Sequence, residues 1–199
     1  HVAMGRAGYN GWGVATPTSM PPDRLDALGL KIEPWREEGD EGGHILVIGQ
    51  AGGTDHRFTM PIDWADKVIE RLRGLSDRPI IYRPKPTRPE PLASDWGGVT
   101  TADRHVTLDE LFDGAHVVVA YNSKAAVYAL LKGVPVLYDA AHCALGVLYP
   151  RGLEAVEEPP KPERWPFFCD LAYAQWSRSE IASGAAFAYL LSEEVRCAS

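Results

Sequence analysis

Short runs of apolar, often β-branched residues alternate with amphipathic segments between residues 44 and 138. Four of these runs predict β-strands, over residues 44–49, 78–83, 116–121 and 134–138. The first run is apolar at successive positions and ends at a glycine, which is typical of a strand buried on both faces. The pattern therefore indicates the interior of a parallel sheet.

The segments between and after these strands carry helical signals. Over residues 61–75, Trp64, Val68 and Leu72 recur at helical spacing, and Pro61 stands near the first turn. Further helices are predicted at 108–112, 123–132, 162–176 and 179–191, and a proline- and glycine-rich loop at 87–103. Strands that alternate with helices in this way predict an α/β domain, a Rossmann-like parallel sheet with helices on both faces.

The first 43 residues show little periodicity. Glycines and prolines recur through them, and only residues 23–28 have the pattern of a helical turn. We therefore expect residues 1–43 to form an irregular N-terminal arm, whose Trp12 and Trp35 pack on a neighbouring surface. Residues 44–199 are expected to form the Rossmann-like domain.

Composition and charge narrow the functional classes. The chain has 199 residues, of which 45% are hydrophobic and 24% charged, and a formal net charge of −7. These values exclude a disordered chain or a collagen-like repeat, and the acidic balance argues against generic nucleic-acid binding. No apolar run approaches the roughly 20 residues of a membrane helix, so no membrane span and a cytoplasmic location are expected.

Cysteine and histidine spacing gives no sign of a metal or a disulfide framework. The three cysteines, at positions 143, 169 and 197, form no CxxC pair, and the six histidines show no HExxH spacing. We expect no metal site and no cofactor.

Ligands of open parallel sheets bind beyond the carboxyl ends of the strands, so the residues that follow each strand are the candidate site. Asn122, Ser123 and Lys124 lie between a predicted strand and a predicted helix. Ser123 at the helix start would cap it, and the free amides of the first turn favour an anion. A plain capping serine is the alternative interpretation, and from the cap alone it is the more frequent one.

Two cations follow the strand at 78–83. Arg83 and Lys85 stand in a loop that prolines stiffen, and a guanidinium fork beside an ammonium suits a phosphate. The alternative is a solvated basic turn. Because both loops leave the same edge of the sheet, the combination favours a phosphate site.

The remaining strand ends carry weaker signals. Gln50, Gly52 and Gly53 belong to a glycine-rich segment that matches neither GxGxxG nor a P-loop, so a backbone approach to a ligand and an ordinary turn are equally compatible with it. Asp139 and His142 are candidates for an acid/base pair, although such residues are more often structural. The sequence identifies no catalytic residue beyond these two.

An ordered set of motifs resembles the C-terminal, donor-binding half of GT-B glycosyltransferases. The motifs are a basic–proline element at 82–86, a short strand ending in a helix-start serine at 117–123, and a helix–Gly–x–Pro–Val run at 129–136. Within that group, the motifs resemble those of bacterial capsule Kdo-transferase-like and sialyltransferase-like enzymes and of related phage-encoded proteins. The likeness spans residues 44–192 and includes the tail segments 171–176 and 180–184.

The resemblance implies one half of a GT-B fold and a nucleotide-sugar donor as substrate. It implies that Arg83, Lys85 and Ser123, with Asn122 beside it, hold the phosphate of that donor. The chain differs from the family at two positions: Lys85 stands where the family has histidine, and Tyr128 where a ribose-binding glutamate is frequent. The resemblance also implies, as partner, a second Rossmann-like domain or a homo-oligomer.

Three functional hypotheses follow. The first is a glycosyltransferase, or its donor-binding domain, which transfers a sugar from a nucleotide-activated donor to an acceptor. The alternative is a non-catalytic nucleotide- or protein-binding module derived from such an enzyme. The third is an assembly protein that uses Trp12, Trp35 and Trp176 as apolar contacts, against which ordinary core packing is the more common role.

Overall fold

A computed structural model describes residues 2–5, 8–9, 20–37, 43–50, 60–85, 96–140 and 143–192. The chain folds as two units. The first comprises residues 1–31, 142–150 and 162–199, and the second, called here the α/β unit, comprises residues 32–141 and 151–161. The predicted boundary between residues 43 and 44 stays a prediction.

The elements follow one another along both units. In chain order they are β1 (Val2–Gly5), β2 (Gly8–Tyr9), α1 (Asp23–Ala27), β3 (His44–Ile48), α2 (Trp64–Arg73), β4 (Ile80–Arg83), β5 (Val99–Thr101), α3 (Leu108–Phe112), β6 (Ala115–Ala120), α4 (Lys124–Leu131), β7 (Val136–Tyr138), a 3₁₀ helix (Ala144–Val147), α5 (Trp165–Tyr173), β8 (Gln175–Trp176), α6 (Arg178–Ala182) and α7 (Ala185–Leu190).

The α/β unit is built on a parallel sheet of five strands in the order β5-β4-β3-β6-β7. Within this sheet the first strand along the chain is the central strand β3. The next two, β4 and β5, lie on one side of β3, and the last two, β6 and β7, lie on the other side. The order therefore reverses between β3 and β6, which is the place where doubly wound sheets form a ligand crevice beyond their carboxyl ends.

Alternation along β3 directs side chains to both faces of this sheet. Ile45 and Val47 belong to an apolar cluster with Val68 and Leu72 of α2. Leu46 and Ile48 point to the opposite face by the two-residue period of a strand, and α3 and α4 contact the neighbouring strand β6. Every side chain of β6 is buried. The prediction of a Rossmann-like sheet with helices on both faces is confirmed.

The predicted loop at 87–103 is wrong in its last part, because residues Val99–Thr101 form the edge strand β5. β5 has three residues and is half-exposed, so it carries no apolar run that a sequence pattern could detect. Its backbone hydrogen bonds to β4 define it instead. Residues 87–95 of that loop lie outside the described part of the chain.

The first unit holds a small antiparallel sheet in the order β2-β1-β8, together with α1 and α5–α7. The sequence analysis did not predict these strands. The predicted helix at 162–176 ends earlier, as α5, and is followed by β8. The predicted helix at 179–191 is two helices, because Gly184 takes a left-handed conformation (φ 81°) that breaks it. The predicted turn at 23–28 is confirmed as α1.

No helix among the described residues is long and apolar enough to cross a membrane.

Candidate functional site

Strand register brings the predicted site residues to one edge of the α/β unit. Ile48, the last residue of β3, pairs with Arg83 on one side and with Ala120 on the other. Ala120 in turn pairs with Tyr138. The residues that directly follow these strands therefore share the carboxyl edge of the sheet. The predicted residues placed there are Gln50, Arg83, Lys85, Asn122, Ser123, Lys124 and Asp139.

Ser123 caps α4, as predicted. It has an extended conformation (φ −74°, ψ 142°), and its Oγ accepts a hydrogen bond of 3.3 Å from the N–H of Ala125. Accepting this bond leaves the hydroxyl proton available as a donor. The first-turn amides and the positive end of the helix dipole lie at the same point. The cap and an anion contact are thus compatible in one residue.

Arg83 is the last residue of β4 and is half-buried. Its backbone oxygen accepts a bond of 2.9 Å from the N–H of Gly49, which fixes the end of the strand. Its Nε is buried and makes no hydrogen bond to any described residue. Burial lowers the pKa of the guanidinium from its usual value, since desolvation disfavours the charged form.

Two further cations flank this edge. The side chains of Lys85, two residues after Arg83, and of Lys124, in the first turn of α4, are exposed. Asn122, between β6 and the cap, is 2% exposed. The edge therefore combines one half-buried cation with exposed cations and a helix N-terminus, which together suit an anionic ligand.

Gln50 lies two residues beyond β3, at the point where the strand order reverses. Its Oε1 is buried and has no hydrogen-bond donor among the described residues. The preceding Gly49 is packed closely, because a Cβ there would lie 2.5 Å from the hydroxyl oxygen of Tyr82. Gly52 and Gly53, which the sequence analysis grouped with Gln50, lie outside the described residues.

Asp139 follows β7 and is held by two side chains. The indole N–H of Trp64 donates to one carboxylate oxygen at 3.1 Å, and Arg151 lies 3.4 Å from the other. The Trp64 ring packs edge-on against Tyr121, with 5.9 Å between centroids. These contacts fix the orientation of the carboxylate, and its proposed acid/base role stays a prediction. Its predicted partner His142 lies outside the described residues.

The sequence analysis missed Tyr121 and Arg151 at this edge. Tyr121 directly follows β6, so its position after a strand was a usable signal. Arg151 carries no local signal, since only the fold brings it to Asp139.

Tyr128, which the sequence resemblance aligns with a ribose-binding glutamate, is engaged elsewhere. Its hydroxyl donates to Asp109 of α3, at 3.0 Å from each carboxylate oxygen. This hydrogen bond is the main cause that raises the pKa of the tyrosine above its usual value. Lys132 lies 3.4 Å from the same carboxylate and 5.8 Å from the centre of the tyrosine ring. Tyr128 therefore belongs to a polar network between α3 and α4.

The opposite, amino-terminal edge of the sheet holds a cavity of about 800 Å³. The two histidines that line it have protein partners. The ring nitrogen Nε2 of His44 lies 3.0 Å from the backbone oxygen of Leu111, and that of His116 lies 2.8 Å from that of Val156. Burial is the main cause that lowers the pKa of His44. The unsatisfied atoms of Gln50 and Arg83 thus distinguish the carboxyl edge.

Within the ranges that the structure describes, no three His, Cys, Asp or Glu side chains are grouped so that they could hold a metal ion.

Comparisons with known proteins show the fold. No protein-family profile and no curated protein match the chain. Among solved structures, a β-Kdo 2,4-transferase of KpsC from Thermosulfurimonas dismutans matches 83% of the chain at 13% identity, with a TM-score of 0.54. A β-Kdo 2,7-transferase of KpsC from the same organism matches 75% at 16% identity, with a TM-score of 0.47.

The chain spans 58% and 52% of the length of these two structures. It has a Rossmann-like α/β fold that matches half of a GT-B glycosyltransferase fold.

Proposed function

We propose that this chain is a glycosyltransferase, or the donor-binding half of one, and that its carboxyl edge binds the phosphate of a nucleotide sugar. One observation carries the proposal: Arg83 is a half-buried cation whose Nε has no hydrogen-bond partner among the described residues. Burying a charge without compensation is costly, and a bound anion would remove that cost. The GT-B-like fold supports a nucleotide sugar as the source of the anion.

The chemistry follows from the charges at this edge. When the bond between the sugar and the phosphate of the donor breaks, negative charge develops on the leaving phosphate. Arg83 and Lys85 would stabilise that charge, together with the hydroxyl of Ser123 and the N-terminus of α4. Groups fixed in place before the reaction stabilise the transition state without reorganising.

Catalysis by a glycosyltransferase also needs a site for the acceptor. Since the chain matches half of a GT-B fold, we propose that a second Rossmann-like domain, or a second copy of this chain, completes that site. The acceptor would approach the carboxyl edge, where Asp139 is a candidate base.

A non-catalytic nucleotide-binding module is the second candidate. Tyr128 favours it, because its hydroxyl is committed to Asp109 where related enzymes frequently place a ribose ligand. Transfer or hydrolysis of a nucleotide sugar by the chain, assayed over a range of chain concentrations, distinguishes the two candidates.

The test is a calorimetric titration of CMP, UDP, GDP and ADP into the wild-type chain and Arg83→Ala. We expect one nucleotide to bind and Arg83→Ala to weaken it at least about tenfold, since a hydrogen bond to a charged group contributes about 1.5–3 kcal/mol. Thermal unfolding of the variant checks that it is folded.

Arg73→Ala is the matched control. Arg73 ends α2, and its exposed guanidinium donates to the backbone oxygen of Trp96 at 3.0 Å. The variant loses the same charge away from the carboxyl edge and should bind as the wild type does. If none of the four nucleotides binds at millimolar concentration, the phosphate site is wrong.

A further inference from the structure

Two buried polar atoms of opposite character lie unsatisfied at neighbouring strand ends of the α/β unit. The Oε1 atom of Gln50 is an acceptor, and the Nε–H of Arg83 is a donor, and neither has a hydrogen-bond partner among the described residues. Folded proteins leave few buried polar atoms in this state, because each costs about 1–3 kcal/mol. Two of them lie at neighbouring strand ends of the carboxyl edge.

The backbone fixes the distance between the Cα atoms from which these two side chains extend. Arg83 pairs in register with Ile48, and its oxygen accepts from the N–H of Gly49 at 2.9 Å. Adjacent strands are about 4.8 Å apart, and Gln50 directly follows Gly49 in the chain. The two side chains therefore leave adjacent strand ends, and a ligand that bridges them would present an acceptor to Arg83 and a donor to Gln50.

The chemistry of the two atoms restricts that ligand. A phosphate supplies the acceptor for Arg83, but the bridging phosphate or diphosphate of a nucleotide sugar is fully ionised at neutral pH and has no proton to give to Gln50. A hydroxyl does have one. In a nucleotide sugar, hydroxyls lie on the ribose and on the transferred sugar, the two groups joined to the phosphates, whereas the base is separated from the phosphate by the ribose.

We propose that Gln50 is a specificity-determining residue that accepts a hydrogen bond from a hydroxyl of the sugar joined to the phosphate at Arg83. The proposal rests on the proposed function. Gln50 would give the site an acceptor for a sugar hydroxyl, whereas Tyr128 supplies none because its hydroxyl is bonded to Asp109. A ligand without that hydroxyl leaves the Gln50 oxygen unpaired and binds more weakly.

The test compares Gln50→Met with the wild type by calorimetry, using pyrophosphate, the four nucleotides, their 2′,3′-dideoxy forms, and UDP-glucose, GDP-mannose, ADP-glucose and CMP-N-acetylneuraminate. Methionine keeps the volume of the side chain and removes its polar atoms. Gln175→Met, the same substitution in the first unit, is the matched control, and thermal unfolding checks that both variants fold.

We expect Gln50→Met to leave pyrophosphate binding unchanged and to weaken the ligand that carries the hydroxyl about tenfold. If the hydroxyl belongs to the ribose, the ribonucleotide loses affinity and the dideoxy form loses none. If it belongs to the transferred sugar, only the nucleotide sugar loses affinity.

If Gln50→Met and the wild type bind every probe equally, the proposal is overturned and the phosphate site stays in place. If Gln50→Met weakens pyrophosphate as much as the other probes, the proposal is overturned in the same way. Failure of the wild type to bind pyrophosphate, nucleotides or nucleotide sugars overturns the proposed function itself, and the proposal with it.

Discussion

Two partly buried arginines, one in each unit, differ in the hydrogen-bond partners of their guanidinium groups. The side chain of Arg24, in α1, is surrounded by protein partners. Its guanidinium lies 4.2 Å from the ring centre of Trp176. The groups that accept its hydrogen bonds are the carboxylate of Glu180 (2.8 Å) and the backbone oxygens of Gln175 (2.6 Å) and Ala172 (3.2 Å).

Among the described residues, Arg83 has no such set of partners. Its Nε is buried and unbonded within the described part of the chain, and burial lowers the pKa of its guanidinium. Protein groups compensate the first cation, and we propose that a bound anion compensates the second. The first arrangement stabilises a fold, and the second is typical of a binding site.

The largest expected effect comes from removing each arginine in turn. Arg24→Ala should lower the free energy of unfolding by about 2–3 kcal/mol, because it leaves Glu180 and two backbone oxygens without their donor. Arg83→Ala, without ligand, should change it by less than about 1 kcal/mol, because no side-chain bond within the described chain is lost. Chemical denaturation followed by circular dichroism measures both.

Arg178→Ala is the control for Arg24→Ala, since Arg178 is an exposed residue of α6. Its effect should lie within about 0.5 kcal/mol. An Arg24→Ala variant as stable as this control would contradict the structural role given to Arg24.

The pH dependence of stability should follow the ion pair of Arg24. The hydrogen bond from Arg24 is the largest cause that lowers the pKa of Glu180 from its ordinary 4.5 to about 2, and bonds from Ser177 add to it. A pKa depressed by folding stabilises the folded state above the unfolded-state value, and this stabilisation is lost as the pH falls from about 4.5 towards 2.

Glu180→Gln should therefore flatten the loss of stability over that interval, measured by denaturant unfolding at a series of pH values. In an Arg24→Ala background the same substitution should have a smaller effect, because the main cause of the shift is gone. The same slope in Glu180→Gln and the wild type would show that Glu180 does not carry this dependence.

The smallest effect should separate two helix caps. Ser123 caps α4 at the carboxyl edge, and Ser177 caps α6 in a capping box with Glu180. Replacing either serine by alanine should cost about 1 kcal/mol of stability. Only Ser123→Ala should also weaken nucleotide binding, measured by calorimetry, so Ser177→Ala is its matched control. Equal binding by the two variants would make Ser123 a cap and nothing more.

Much of the α/β unit could be predicted from the sequence. The four apolar runs are β3, β4, β6 and β7, and the helix at 108–112 has the predicted bounds. These elements are encoded by local periodicity, because their apolar side chains face buried layers. The position of Ser123 as the cap of α4 also follows from local signals.

The first unit was harder to predict. β1, β2 and β8 have two to four residues each, and they exist through pairings such as that of Val2 with Trp176. A strand this short carries too few positions for a periodic signal, and its hydrogen bonds come from a partner far along the chain. The break at Gly184 depends on its positive φ, which a glycine permits but does not require.

The sequence by itself determined the order of the main elements and the residues that follow each strand, because both depend on neighbours along the chain. Only the tertiary structure decided the strand order that places β3, and the Gln50 that follows it, beside β4 and Arg83. It also decided which polar groups found partners: Asp139 is held by Trp64, 75 positions earlier, whereas the Nε of Arg83 stays unbonded within the described residues. Burial and hydrogen bonding are properties of packing, so residues of similar type in the sequence become a stabilising contact in one unit and a candidate binding site in the other.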